Sequence, residues 1–248
     1  MIRIENTGVY GFEAAIRGMR NPMNSWNQSD SHVCACADGY LDCPMVLNDD
    51  EPAKECDPDK YNFCVGEKDF CLMKKLAVAG PDHGKFLRMI TVTLDIIAPL
   101  YWWKEMDTYS VGVVKNSCST MHKIHEKEFT LDDFSCEHLF DGVYPFEGSD
   151  DFDYYDTSTS CLLYTIEFLN FHRKKYIETK DKRHWWQMIQ LLPSSYNQRR
   201  TVQLNYAVLK NIYHARKGHK LDEWNKFCQW IEGLPYSELI TDNVHEEL

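Results

Sequence analysis

Apolar and polar positions along the chain alternate with two periods, and the switches between them mark out its elements. Residues 2–5 alternate singly, as a short strand does. Asn6-Thr7-Gly8 leads into a helical pattern over residues 12–20. Asn21-Pro22 ends that helix, because a proline disfavours helical backbone in the residue before it. No period survives over residues 23–66, which are rich in Asp, Cys, Pro and Asn. Asp49-Asp50-Glu51-Pro52 and Cys56-Asp57-Pro58-Asp59 are loop signals, so the stretch reads as an irregular insert. A helix is predicted again over 67–79, with Phe70, Met73, Leu76 and Ala77 on one side, until Gly80-Pro81 stops it. Residues 87–98 are β-branched and apolar and predict a long internal strand. Pro99 can open a helix over 100–106. Residues 112–119 read as a small-residue turn region, and 120–126 and 131–139 as helices. Residues 140–156 form a second irregular loop, acidic through Glu147, Asp150, Asp151, Asp153 and Asp156. Helices then dominate, over 161–179, 184–191, 196–216 and 221–232.

At 248 residues this is one large domain carrying an insert. No stretch approaches the roughly 20 uncharged apolar residues of a membrane span. Met1-Ile2-Arg3-Ile4-Glu5-Asn6 has no apolar core of a signal peptide, so a cytoplasmic protein is expected. The net charge of −11 is unevenly spread: residues 1–156 hold 14 basic against 28 acidic side chains, and residues 157–248 hold 13 against 10. General nucleic-acid binding, which needs a broad basic face, is not expected; the C-terminal part can still hold a phosphate locally. The Asp150 to Asp156 run reads as a solvated loop, with mimicry of nucleic-acid charge as its alternative.

Ten cysteines are many for a reducing compartment, and six lie between Cys34 and Cys71. With His32, the set Cys34, Cys36, Cys43, Cys56, Cys64 and Cys71 offers zinc ligands that would order the insert. It contains Cys-x-Cys but no Cys-x-x-Cys pair, and a loop of free thiols is the other reading.

The late helical stretch carries the strongest signal. Asn205, Leu209, Ile212 and Arg216 fall at i, i+4, i+7 and i+11, one lengthwise stripe if all four are helical. A guanidinium ending an apolar stripe requires a partner, and the phosphate of a nucleotide would be one; a neighbouring carboxylate would be another. Further back, Asn116-Ser117-Cys118-Ser119-Thr120 precedes a short helix bearing His122 and Lys123. Such small polar residues can form an anion nest, with Ser119 or Thr120 as N-cap. Cys118 and His122 also admit a nucleophile-and-base reading, against plain capping beside a buried thiol. Tyr101-Trp102-Trp103 and Trp185-Trp186 can stack on a planar ligand or fill core.

Leu192-Pro193, Thr201, Asn205, Leu209, Asn211 and Arg216, followed after a one-residue adjustment by His219 and Glu223, resemble the C-terminal pattern of the flavin-dependent thymidylate synthases. The opening Asn6-Thr7 and Phe12-Glu13-Ala14-Ala15-Ile16 ending in Arg20, and His83-x-x-Phe86, are similar to that family too. The resemblance covers most of the chain outside 23–66 and 140–156. It implies an α/β (α+β) fold with a central mixed sheet flanked by helices, helix-rich in its C-terminal half, assembled as a homotetramer. It also implies flavin (FAD) and nucleotide sites where subunits meet. Arg216, with Ser117, Ser119 and Lys123, is expected at the nucleotide; His83, Asn205, Asn211 and His219 are expected at the flavin. Asn205 and Asn211 lie about 120° apart on a helix, which suits a site shared between subunits.

The chain departs from the family at its Arg-His-Arg signature. The corresponding stretch reads Glu105-Met106-Asp107-Thr108-Tyr109-Ser110-Val111-Gly112, then Asn116 to Lys123, and no arginine occurs between Arg88 and Arg173. Each lost charge-assisted bond removes roughly 1.5–3 kcal/mol from ligand binding. A divergent relative, of the sort found in bacteriophage and bacterial genomes, is therefore expected. Two functions follow: flavin-dependent one-carbon transfer to a pyrimidine nucleotide with altered ligands, or a non-catalytic nucleotide-sequestering or protein-interaction role on the same scaffold.

Overall fold

The computed structural model describes residues 1–33, 63–141 and 157–242. A four-stranded sheet runs in the order β1 (Arg3–Tyr10), β4 (Thr91–Pro99), β6 (Asn197–Asn205), β5 (Val114–Ser117). Its strands are antiparallel. The Tyr206 amide donates to the Ile90 carbonyl at one end of the β4–β6 pair, and the Leu100 amide to the Tyr196 carbonyl at the other. Val92, Leu94, Ile96 and Ala98 of β4 are buried on alternate positions, as the period of two requires. Each strand contributes one part to each of two compact units.

The first unit contains 1–4, 96–108 and 116–201. Here α3 (Leu100–Met106) buries Trp102 and Trp103 completely. The long α5 (Ser158–Thr179) packs on α6 (Lys182–Leu191), and Leu162, Ile166, Leu169 and Met188 close over Phe129 and Phe134. The second unit contains 5–95, 109–115 and 202–248. In it α1 (Phe12–Arg20), α2 (Glu67–Val78), α7 (Tyr206–Arg216), α8 (Asp222–Glu232) and the short α9 (Glu238–Thr241) pack together. Gly11 opens α1 at φ +96°, and a Cβ there would come within 2.2 Å of the Met89 carbonyl. Only glycine allows that approach.

A buried ion pair organises the second unit where the insert begins and ends. Arg20 Nε donates to Asp69 Oδ1 at 2.6 Å, with side chains 5% and 0% exposed. The other carboxylate oxygen accepts from the Ser29 and Ser31 hydroxyls and from the Asp30 and Ser31 amides. Asp30 in turn accepts from the Lys68 and Asp69 amides at the start of α2. Beyond this clasp β2 (His32–Val33) pairs antiparallel with β3 (Phe63–Cys64). Burial pushes the Asp69 carboxyl upward; the Ser29, Ser31 and Arg20 hydrogen bonds, together with the Arg20 charge, outweigh it and hold the group below its usual range.

Five sequence expectations change. Residues 196–216 are not one helix: β6 occupies the first part and α7 begins at Tyr206. Gln198, Val202 and Leu204 are buried at strand spacing, and Asn205 has the extended backbone of an N-cap. Residues 131–139 are not a helix: a single 3-10 turn, Leu131–Asp133, is closed by a Thr130/Asp133 capping box, and Phe134 then bridges Tyr196. Residues 112–119 are more than a turn, since Gly112 at φ +73° leads into β5. The helix expected over 120–126 is shorter, as α4 (Thr120–Lys123), and the strand expected over 2–5 extends to Tyr10.

Candidate functional site

Segments of the second unit meet at the C-terminal end of α7. Arg216 is the last residue of that helix, where a cation is favoured by the helix dipole. Its guanidinium lies 4.7 Å over the Trp224 ring of α8 and 5.6 Å from the centre of the Tyr109 ring. Its Nε donates to the Tyr109 hydroxyl at 3.0 Å. Each ring contact contributes about 0.5–2 kcal/mol, and together they orient a fork that would otherwise sample many rotamers.

His219 lies in the turn between α7 and α8. Its amide donates to the Arg216 carbonyl at 3.0 Å, and Asn225 Nδ2 donates to its carbonyl at 2.9 Å. The Leu221 amide donates to His219 Nδ1 at 3.1 Å. A ring nitrogen that accepts carries no proton, so this hydrogen bond assigns the proton to Nε2. Nε2 sits 3.3 Å from an Arg216 terminal nitrogen, and arginine has donors only.

Asn205 begins the same helix. Its Oδ1 accepts from the Val208 amide at 3.1 Å, capping α7. A Cβ on Gly112 would come within 3.1 Å of its Nδ2. One short segment thus supplies both Tyr109, against Arg216, and Gly112, against Asn205. Asn211 is exposed on α7, and His83 is exposed just before the 3-10 turn Gly84–Arg88. Arg216 and His219 are brought together; Asn205, Asn211 and His83 do not join them in a single cluster.

The remaining candidates belong to the first unit. Ser117 is exposed at the end of β5. Ser119 spends its hydroxyl on capping α4, accepting from the His122 amide at 3.0 Å. Lys123 is ion-paired with Glu126. The exposed Cys118 is tied to β6 through its backbone, by the Arg199 carbonyl and Gln198 Nε2. Trp102 and Trp103 are core, and Trp103 Nε1 donates to the Gln198 carbonyl at 2.9 Å. Trp185 donates to the Met121 carbonyl at 3.0 Å, and Trp186 is exposed.

Solved structures share this architecture. The flavin-dependent thymidylate synthase ThyX of Helicobacter pylori, complexed with FAD and dUMP, superposes with a TM-score of 0.59 at 14% identity, covering 97% of this chain and 98% of that one. A second structure of the same enzyme with FAD and dUMP gives 0.59 at 13% identity, covering 99% and 100%. This chain has the flavin-dependent thymidylate synthase fold. The UMP/dUMP methylase PolB of Streptomyces cacaoi, bound with 5-Br dUMP, matches at 0.52 and 12% identity over 97% of this chain and 95% of that one. No protein-family model matches the chain, and no curated protein does.

The amide oxygen of Asn205 is used by its own helix, and His219 is turned to Arg216. Zinc finds no support: among the described residues no three His, Cys, Asp or Glu side chains gather, although His32 and Cys64 lie opposite each other across β2 and β3. Cys34, Cys36, Cys43, Cys56 and the Asp150 to Asp156 run lie outside the described residues. Among the described residues no helix is long and apolar enough to cross a membrane.

Sequence reasoning missed Tyr109 and Trp224 as the walls around Arg216, and it missed Arg200. That residue stacks 4.2 Å over Trp103 and donates to Asp107 at 2.8 Å and to Gln198 at 2.9 Å. Alternation of Gln198, Arg200, Val202 and Leu204 was the available signal, a strand period hidden by a helical reading.

Proposed function

We propose that this chain binds a pyrimidine nucleoside monophosphate through Arg216, as a homo-oligomer on the thymidylate synthase fold. One observation carries the reading: an aromatic-walled guanidinium lies 3.3 Å from His219 Nε2 at the end of α7. A phosphate oxygen there accepts from both, with the geometric selectivity of an arginine fork. The dUMP and 5-Br dUMP bound by the ThyX and PolB structures suggest the ligand class to try first.

The test is ligand-dependent unfolding with dUMP, UMP and dTMP. Binding only the folded chain stabilises it by about 2.7 kcal/mol at a hundredfold excess over Kd. Arg216→Ala is expected to abolish that shift. A shift that survives the substitution, or no shift with any of the three, overturns the reading.

One-carbon transfer with flavin is the catalytic form of this function. In it the exposed Asn211 and His83 meet a flavin at a boundary between copies, and the purified protein is yellow. A non-catalytic binder is favoured by a different observation: residues 105–123 carry no arginine, Ser119 is committed to a cap and Lys123 to Glu126. Colourless protein that a nucleotide still stabilises supports that second form.

A further inference from the structure

Two residues, Lys180 and Asp181, join α5 to α6. Lys180 turns the chain at φ +56°, and the Asp181 carboxylate accepts from the Arg183 amide to open α6. Across this hairpin His172 Nδ1 lies 2.9 Å from His184 Nδ1. Two imidazole nitrogens at that distance share one proton: one carries N–H and the other offers its lone pair. A first added proton goes to an Nε2 and leaves that bond intact. A second puts N–H on both Nδ1 atoms, and the hydrogen bond is replaced by two charged donors pressed together.

The surroundings decide where each proton goes. The Arg183 hydrogen bonds, with a smaller contribution from the His184 charge, pull the Asp181 carboxyl down to about 2. It therefore stays ionised wherever imidazoles titrate, and it favours the first proton on His184. His172 packs against the Phe168 and Phe171 rings, 4.6 and 5.1 Å between centres. Burial, and then the His184 charge, lower its pKa. Neighbouring charges are turned elsewhere: Arg173 donates to the Glu126 carbonyl, and Lys175 and Arg183 pair with Glu178 and Asp181. From the segment after α4, His125 packs on Tyr176 and Lys127 pairs with Asp133. Next to His184, Trp185 Nε1 donates to the Met121 carbonyl of α4 at 3.0 Å. A displaced α6 therefore releases α4, with its Ser119 cap, His122 and Lys123.

We propose that the His172–His184 pair is a proton-operated latch, which holds α6 on α5 until both rings are charged and then frees α6 together with α4. It does not depend on nucleotide binding. The folded chain favours a neutral His172, so the stability this gives is complete above the ordinary imidazole value of 6.5 and is lost as pH falls below it, levelling off beneath the lowered folded value. Hydrogen exchange of the full-length protein across roughly pH 5–8, corrected for the intrinsic pH dependence of exchange, tests the latch. Opening of α4 and α6 is expected to rise about tenfold per pH unit below 6.5, the factor for one linked proton, while α1 and α8 stay protected. His172→Gln keeps a neutral partner for His184 and is expected to abolish the rise. Should that variant misfold, ring-carbon NMR titration of the wild type still decides: one imidazole of the pair is expected to titrate below 6.5, coupled to the other. Flat opening in the wild type, a rise that persists in His172→Gln, or two independent titrations at the ordinary value overturns the latch.

Discussion

Arg20 and Arg216 are two guanidiniums of one structural unit with opposite surroundings. Arg20 is buried, and its Asp69 partner is saturated by Ser29, Asp30 and Ser31. Arg216 is half-exposed, stacked on Trp224 and Tyr109, with an imidazole N–H beside it. A carboxylate partner neutralises a guanidinium, whereas aromatic faces hold it in one orientation. Arg200 is intermediate: it stacks on Trp103, as Arg216 does on Trp224, but Asp107 takes its terminal nitrogen. What surrounds a guanidinium, not its residue type, thus sets whether it is fixed by an opposite charge or by stacking.

The strongest way to break this comparison is to remove Asp69. Asp69→Ala leaves Arg20 buried without its carboxylate and is expected to cost about 3–5 kcal/mol in chemical denaturation. Any nucleotide-dependent shift should persist in the protein that remains folded. Loss of that shift would mean that the clasp and the Arg216 corner are not separate. Acid probes the same pair more gently. The Asp69 carboxyl is held low in the folded state, so its stabilisation is fully present above the ordinary carboxylate pKa of 3.8. It is lost as pH falls through the lower folded value. Arg20→Met/Asp69→Met, lacking the pair, should show a flatter acid limb in urea titrations than the wild type.

Asn205→Ala removes the cap of α7 and is expected to cost about 1 kcal/mol. A similar loss of nucleotide-dependent stabilisation in that variant would place Asn205 at the ligand as well as at the helix. Arg216→Ala removes two ring contacts and the Tyr109 hydrogen bond and is expected to cost the unliganded protein about 1–2 kcal/mol, with the largest effect on the ligand shift. A large intrinsic destabilisation would instead make Arg216 a structural residue like Arg20.

Much of this was legible in the sequence for local reasons. The α1, α2, α5, α6 and α8 periods, the Asn21-Pro22 and Gly80-Pro81 stops and the long β4 run follow from side-chain periodicity and backbone restriction, which act over a few residues. The order and spacing from Pro193 to Arg216 carried the resemblance, and its expectation of the fold is the part that the shared architecture bears out. Where local signals conflicted, the sequence misled. Residues 197–205 hold enough polar side chains to look helical, and become a strand because β4 and β5 supply their hydrogen-bonding partners on either side.

The chain alone determined that a guanidinium stands eleven residues beyond an asparagine, that α5 carries more apolar residues than one face can bury, and that acidity is concentrated before residue 157. Only the tertiary structure decided that Asn205 is a cap, that Tyr109 and Trp224 wall Arg216, and that Arg20 finds Asp69 across 49 positions. Periodicity is a property of neighbours in sequence, whereas a partner for a charge is chosen by chain closure, which brings distant segments within hydrogen-bonding range and leaves no trace in spacing.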